Sequence, residues 1–264
     1  MNQDLTFLVI SSANDLTVED TIKSIVSTAR ILIVDGGPRR NQSYKSLSEI
    51  NLLELAEKYN CIYLARKYDY AASQYNYGLS QIKTEWAFVI DSDETISDEL
   101  ADWLKEGRFL KHNQFKVKRF NYFLGKKMFH GQFRPDWNVR LIKPEFAKYE
   151  DRQVHARIQC VGKISKAPGH MNHFTVTNLD NFFAKMLEFS SLEPASRLSS
   201  SHSNEFQAQI RRYLQKLPFQ AFLRFCYSYF WRLGFLDGKI GFLLARSASY
   251  YEDLVSLRKI ESER

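Results

Sequence analysis

Four short apolar runs punctuate the first 93 residues: Thr6 to Ile10, Ile31 to Val34, Cys61 to Leu64 and Trp86 to Ile90, each bounded by polar positions. Uninterrupted apolar runs of this length suit strands covered on both faces, the pattern of a parallel sheet. The stretches between them are long enough to return the chain by a crossover helix. The spacing therefore predicts an α/β fold with helices near 15–28, 45–59 and 71–82.

After residue 97 the rhythm changes. Thr95 and Asp98 form a T-x-x-D box that predicts a helix running to about Gly107. Strand-like stretches follow at 115–123, 127–130, 137–142 and 154–160, with little helix between them, so this half reads as a mixed sheet added to the first. A helix is expected over 178–190, and the polar stretch 199–205 (SSSHSNE) reads as a loop or hinge. Pro218 is placed to open a further helix, along which Gln220, Arg224, Ser228 and Arg232 recur every four residues as a narrow polar ridge among aromatic and aliphatic neighbours. Such a helix has most of its circumference to hide.

Composition narrows the class without choosing a function. At 44% hydrophobic and 25% charged residues, the chain is neither disordered, collagenous nor coiled coil. The net charge of +7 favours anionic partners, and the charge is uneven. Residues 206–260 hold nine Lys/Arg against three acids, with thirteen aromatics between 206 and 251. Basic and aromatic residues interleaved on amphipathic helices suit the headgroup region of a membrane, or else a helical hairpin packed on the rest of the protein. The three cysteines, Cys61, Cys160 and Cys226, are far apart and fit neither a disulfide framework nor a zinc ribbon, as expected in a reducing cytosol. The opening MNQDLTFLVISS reads as a strand rather than a signal peptide, and no run approaches the length of a membrane span.

Chemistry concentrates at Asp91-Ser92-Asp93, which follows the fourth apolar run. Ligands of open α/β sheets bind at the carboxyl ends of the strands. Two carboxylates two residues apart in an extended chain point the same way and can share a divalent ion that also holds a diphosphate. The alternative is a solvated acidic turn. Three segments, LTFLVISSANDLTVEDTIKSI, ILIVDGG and DYAASQYNYGLSQIKTEWAFVIDSDETIS, together resemble the N-terminal half of family 2 glycosyltransferases, which have the GT-A fold. RPDWNVRLIKPEF, VHARIQCVGKIS, HFTVTNLDNFFAKMLEFS and PFQAFLRFCYSYFWRLGFLDGKIGFLLA are similar to the lipopolysaccharide-core β-1,4-glucosyltransferase subgroup.

The resemblance implies a GT-A type nucleotide-diphospho-sugar transferase fold: a Rossmann-like, mostly parallel sheet, a mixed sheet and C-terminal amphipathic helices. Its catalytic domain would span 1–198, with a nucleotide-sugar half (1–96) and an acceptor half (97–198), followed by the basic tail 206–264. Asp35 matches the aspartate that contacts uridine, Gln74 and Asn76 match the segment lining the nucleotide pocket, and Asp91 and Asp93 match the metal and diphosphate motif. His173 matches a histidine near the diphosphate or metal; a packed core histidine is its other reading. The implied ion is Mg2+ or Mn2+.

Two departures stand out. Arg39 and Arg40 occupy a turn where small polar residues are usual, and the Val-His-Glu block reads Val154-His155-Ala156, so the glutamate that would be the inverting base is missing there. Asp136, beside Trp137, is the replacement candidate, with Glu94, Glu150 and Asp151 as further options. Arg140 either faces the same cleft and binds phosphate or lies on the surface.

The implied activity is inverting transfer of a hexose, glucose by resemblance, from a UDP-linked donor to a lipid-linked glycan such as lipopolysaccharide core. The expected location is the cytoplasmic side, peripheral at an anionic inner membrane face. Ala156 motivates an alternative, a catalytically degenerate scaffold, against which metal-dependent nucleotide binding and slow donor hydrolysis would argue. A basic nucleic-acid-binding protein is a third reading and predicts steep salt dependence. The sequence carries no recognised nucleic-acid motif, and no such partner is expected.

Overall fold

The computed structural model describes residues 1–11, 17–37, 51–109, 114–151, 158–199 and 219–262, and of 192–199 the backbone alone. The chain forms two compact units: Met1–Phe120 with Asp136–Thr175, and Asn121–Pro135 with Val176–Arg264.

The first unit opens with β1 (Asn2–Ser11), α1 (Val18–Ile25), β2 (Ala29–Asp35), α2 (Leu52–Lys58), β3 (Ile62–Ala65), α3 (Ala71–Gln81) and β4 (Trp86–Asp91). Every expected strand and helix of this half is present. The helices expected near 15–28 and 45–59 are shorter where described, and residues 12–16 and 38–50 lie outside the described residues. β5 (Glu94–Ile96), α4 (Asp98–Lys105), β6 (Gln114–Phe123), β8 (Asp136–Ile142), β9 (Ala147–Tyr149), β10 (Ile158–Cys160) and β11 (Ile164–Val176) follow, with β7 (Lys126–Lys127) pairing β6 in the second unit. α4 is capped by Ser97, whose hydroxyl accepts from Leu100 N at 3.4 Å, while Thr95 lies within β5. The T-x-x-D box thus located the helix but misassigned its cap by two residues.

Among the described residues the main sheet runs β3-β2-β1-β4-β8-β6-β11-β5. β1 pairs in parallel with β2 and β4, and β2 with β3, whereas β4–β8, β8–β6 and β5–β11 are antiparallel. This is the parallel half continued by a mixed half that the change of rhythm at residue 97 predicts.

Both faces of the parallel half are covered, which is why its strands read as unbroken apolar runs. Alternation sends Phe7, Val9, Trp86, Phe88 and Ile90 into a core with Ile22 and Ile25 of α1 and Leu100 and Leu104 of α4. The intervening Leu8, Ala87 and Val89 pack on the opposite face with Ala72 and Leu79 of α3. α3 lies close to the sheet because Gly78 faces Leu8, where an added Cβ would run into the leucine side chain.

In the second unit, α5 (Leu179–Ser199) extends beyond the expected 178–190. α6 (Gln220–Cys226) passes into a π-helical turn at Tyr227–Trp231, a 3-10 turn at Gly234–Asp237 and α7 (Gly238–Ser262). Pro218 and the 200–218 stretch lie outside the described residues. The polar ridge does not behave as expected. Ser228 is 3% exposed, whereas Phe222 and Trp231 are 65% and 79% exposed. Close backbone approach explains the burial of Ser228: a Cβ on Gly234 would sit 2.7 Å from the Ser228 carbonyl oxygen, so a small residue is needed at that contact, while Phe225 and Tyr229 pack beside it against Phe242.

Candidate active site

The strand order places the site. β1 is flanked by β2 on one side and β4 on the other, and successive connections leave it in opposite directions, making a topological switch point with a crevice at the carboxyl ends. Asp35 pairs in register with Ser11, and Asp91 with Ile10. The two aspartates therefore end the strands on either side of β1 at nearly the same level, about 10 Å apart at two strand spacings.

Asp35 is held by its neighbours: its Oδ1 accepts from Gly37 N at 2.7 Å and its Oδ2 from the Tyr63 hydroxyl at 2.7 Å. That bond raises the Tyr63 hydroxyl to about 12. Gly37 takes a positive φ of 66°, which lets the chain turn back over the carboxylate.

Asp91 and Asp93 do not extend side by side along one strand, as their spacing predicts. β4 ends at Asp91, and Ser92 and Asp93 form a turn into β5. Asp91 accepts from the Tyr75 hydroxyl and from Arg140 Nη2 at 2.9 Å. Burial opposes its ionisation, but Arg140 and Tyr75 outweigh burial and lower its carboxyl to about 2. Asp93 lies 3.4 Å from His173 Nε2, a proximity set by the β5–β11 register, in which His173 is opposite Glu94. Burial works against a charged His173, but Asp93 and Glu94 prevail and raise the imidazole above its ordinary value.

Behind this edge runs a chain of buried charges. Glu94 is fully buried and accepts from Arg140 Nη2 at 2.6 Å and Arg119 Nη1 at 3.1 Å. Burial raises its carboxyl despite both guanidiniums. Arg119 faces Asp136 across β6 and β8 and forms a two-pronged pair with it at 3.1 and 2.9 Å, while Asn138 donates to the same carboxylate at 2.9 Å. Burial would raise Asp136, but Arg119 holds it below the usual range. Asp136 is thus an ionised carboxylate with fixed orientation and weakened basicity. Trp137 beside it is exposed, with Lys166 Nζ 4.8 Å from its ring centroid.

Arg140 is 6% exposed and lies within this network rather than on the surface. Both bonds use Nη2, and its buried Nε has no hydrogen-bond partner among the described residues. Gln74 and Asn76 do not join the cluster. Gln74 exchanges hydrogen bonds with Arg66, and Asn76 pairs reciprocally with the Tyr149 backbone at 3.0 and 2.8 Å. The residue between them, Tyr75, reaches Asp91 and stacks on Tyr149 at 4.6 Å. Sequence reasoning missed Tyr75. Successive helix residues point about 100° apart, so the burial of Gln74 and Gly78 on one face was the signal that their neighbour points elsewhere.

Of the other base candidates, Asp151 accepts from the Tyr70 hydroxyl and Glu150 from Gln159 Nε2 at 3.4 Å. Arg39, Arg40 and Val154-His155-Ala156 lie outside the described residues. Among the described residues no three His, Cys, Asp or Glu side chains are grouped to hold a metal ion. The donor set still fits Mg2+ or Mn2+ chemically, because such ions are commonly held by one or two carboxylates, with water and substrate phosphates completing the shell.

The chain is 25% identical over 245 residues, 90% of its length and 84% of the relative's, to the lipopolysaccharide core biosynthesis glycosyltransferase LpsC of Rhizobium meliloti (strain 1021). Among solved structures it is similar to S. aureus TarS (TM-score 0.43, 12% identity, 88% of this chain), of which it spans only 45%. It is also similar to the glucosyl-3-phosphoglycerate synthase of Mycobacterium tuberculosis, crystallised with Mn2+, UDP and glucosyl-3-phosphoglycerate (TM-score 0.41, 12% identity, 70% of this chain and 77% of that one). The sequence model of the family described as Glycosyl transferase family 2 matches residues 8–162. That stretch starts within β1 and takes in the rest of the parallel half and most of the antiparallel strands, the α/β arrangement expected of a GT-A enzyme. A match over more than half of the chain establishes the family: this protein is a glycosyltransferase and belongs to glycosyl transferase family 2.

Proposed function

We propose that the enzyme is an inverting hexosyltransferase that moves glucose from a UDP-linked donor to a lipid-linked cell-surface glycan of the lipopolysaccharide-core type. The observation that carries this reading is the placement of Asp35 and Asp91 at one level on either side of the β1 carboxyl end, where a nucleoside diphosphate spans the switch point. The core-type acceptor is supported by the likeness to LpsC.

In this reading Asp35, oriented by Gly37 and Tyr63, accepts hydrogen bonds from the uracil ring or ribose. Gln74 and Asn76 act indirectly, anchoring the β3–α3 connection and the Tyr149 strand that flank the nucleotide. Asp91-Ser92-Asp93 serves as the DXD motif: Asp91 and Asp93 hold Mg2+ or Mn2+, with His173 orienting Asp93 or adding a nitrogen ligand. When bound, the ion supplies positive charge that neutralises the diphosphate as it leaves. Arg140, buried behind the edge, keeps Asp91 ionised and so acts on the donor site through that carboxylate. Asp136, fixed by Arg119 and Asn138, takes the proton of the acceptor hydroxyl as that oxygen bonds to the anomeric carbon. UDP departs from the opposite face, and the anomeric configuration inverts. Because Arg119 weakens Asp136 as a base, its contribution rests on position more than on proton affinity. The basic, aromatic second unit suits peripheral attachment at the cytoplasmic face, where a lipid-borne acceptor is presented.

The test is release of UDP from UDP-glucose in the presence of Mn2+, with and without lipopolysaccharide-core acceptors. Slow hydrolysis that rises on addition of acceptor supports the proposal. Turnover with another nucleotide sugar and none with UDP-glucose would overturn the donor assignment.

A further inference from the structure

The second unit packs some of its aromatics, Phe225 and Tyr229 against Phe242, but turns others outward. Along α6 and the π-helical turn, Phe219, Leu223, Tyr227 and Phe230 recur at spacings of three and four residues with Phe222 adjoining, so they share a face, and all are exposed. Trp231, Leu233 and Leu236 continue the exposed apolar surface through the following turns. On the inward side Ser228 is buried against the backbone of Gly234, beside half-buried Phe225 and Tyr229, which pack on Phe242. The outward apolar face is more than a helix facing only water needs. Contiguous exposed apolar surface of this kind marks an interaction site.

The charges beside it identify the partner. Arg224, Arg232, Lys239 and Arg246 lie in the same stretch. Arg232 stands over the Tyr227 ring at 4.9 Å and donates to the Tyr227 hydroxyl at 2.8 Å; Arg224 comes no nearer than 3.9 Å to Glu252. Between 219 and 250 the acids are limited to Asp237, which is 7% exposed and accepts from His130 N at 2.9 Å, Phe129 N at 3.3 Å and His130 Nδ1 at 3.1 Å. The face therefore presents aromatic rings and cations with no exposed carboxylate among them. No helix, among the described residues, is long and apolar enough to cross a membrane. Aromatics and cations together in a non-spanning helix match the interfacial layer of an anionic bilayer, where rings lie at headgroup depth and cations meet lipid phosphates.

We infer that the face formed by Phe219, Phe222, Phe230, Trp231 and Leu236, with Arg232 and Lys239 beside it, inserts into the headgroup layer of an anionic lipid membrane. The inference rests on the peripheral reading above and deepens it by assigning residues to the contact. It also gives the exposed aromatics a role that glycosyl transfer in solution does not.

The experiment is sedimentation of the full chain with vesicles of phosphatidylcholine alone or with about a third phosphatidylglycerol. Binding should be at least about tenfold tighter to the anionic vesicles and should weaken with added salt. Phe222→Ser/Trp231→Ser and, separately, Arg232→Gln/Lys239→Gln should each reduce it by about tenfold or more while leaving thermal melting and UDP release from UDP-glucose unchanged. Wild-type and Phe222→Ser/Trp231→Ser proteins binding equally would overturn the inference. So would indifference to vesicles combined with a dimer that the same double substitution converts to monomer, since the face would then be covered by a second copy. A wild-type protein that releases UDP but does not bind vesicles refutes only the lipid contact; one that binds vesicles but does not release UDP refutes only the donor reading.

Discussion

Replacing Arg140 with Met removes the one cation, among the described residues, that touches both Asp91 and Glu94. The side chain is nearly fully buried, and its Nη2 lies 2.6 Å from Glu94 and 2.9 Å from Asp91. Removing one partner of a buried pair leaves an uncompensated charge and typically costs about 3–5 kcal/mol. Glu94 retains Arg119 at 3.1 Å and Asp91 retains the Tyr75 hydroxyl, so the lower end, about 3 kcal/mol, is expected. For a chain of this size that corresponds to a fall in Tm of about 6–12 °C. Circular-dichroism melting at pH 7 measures it. A second substitution, Glu94→Gln, should be less harmful in the Arg140→Met background than in the wild type, because it removes the stranded carboxylate. A melting point within about 2 °C of wild type, or strictly additive losses in the double variant, would refute the view of this network as one coupled unit.

Asp136→Asn keeps the side chain's shape and one acceptor oxygen, gives up the second bond from Arg119, and removes the proposed proton acceptor. The expected outcome is a fall in kcat of about 100- to 10,000-fold with UDP affinity unchanged, and normal turnover would place the base elsewhere. The depressed carboxyl of Asp91 has a defined pH signature. Its folded value of about 2 lies below the ordinary aspartate value of 3.8, so the stabilisation, on the order of 2 kcal/mol, is present above about pH 4 and lost as pH falls through 2. Urea unfolding between pH 2 and 5 should show the wild type losing its advantage over Asp91→Asn at the acid end. Gly241→Ala should destabilise the second unit by about 1–3 kcal/mol despite alanine's better helix propensity, because the new Cβ would overlap the Gly234 carbonyl oxygen. A stabilised Gly241→Ala protein would show that the close approach of α7 to that turn is wrong.

The parallel half was legible because burial on both faces writes itself into sequence as runs such as WAFVI, with a helix forced between parallel strands. The carboxylate ends of those strands were legible for the same reason: a strand's carboxyl end follows its apolar run, so Asp35 and Asp91 could be placed from the chain alone. What lies behind them was not. Glu94, Arg119 and Arg140 come together through the β8–β6 and β11–β5 registers, and antiparallel register between distant segments leaves no local periodicity to read. Tyr75 was passed over because the amides on either side of it, Gln74 and Asn76, carried the family resemblance. Which residue of the tail's polar ridge packs inward was not legible for another physical reason. Patterning places serine with the exposed polar residues, whereas the close approach of Gly234 to the Ser228 backbone requires a small residue there and buries it.

The central claim, a metal-assisted UDP site at the carboxyl ends of β1, β2 and β4, is tested most directly by calorimetric titration of the protein with UDP, with and without Mn2+. The account predicts binding that strengthens with Mn2+ and loses that dependence in Asp91→Asn, while the variant still folds. No UDP binding under any metal condition, or Mn2+-dependent binding that survives in both Asp91→Asn and Asp93→Asn, would contradict it.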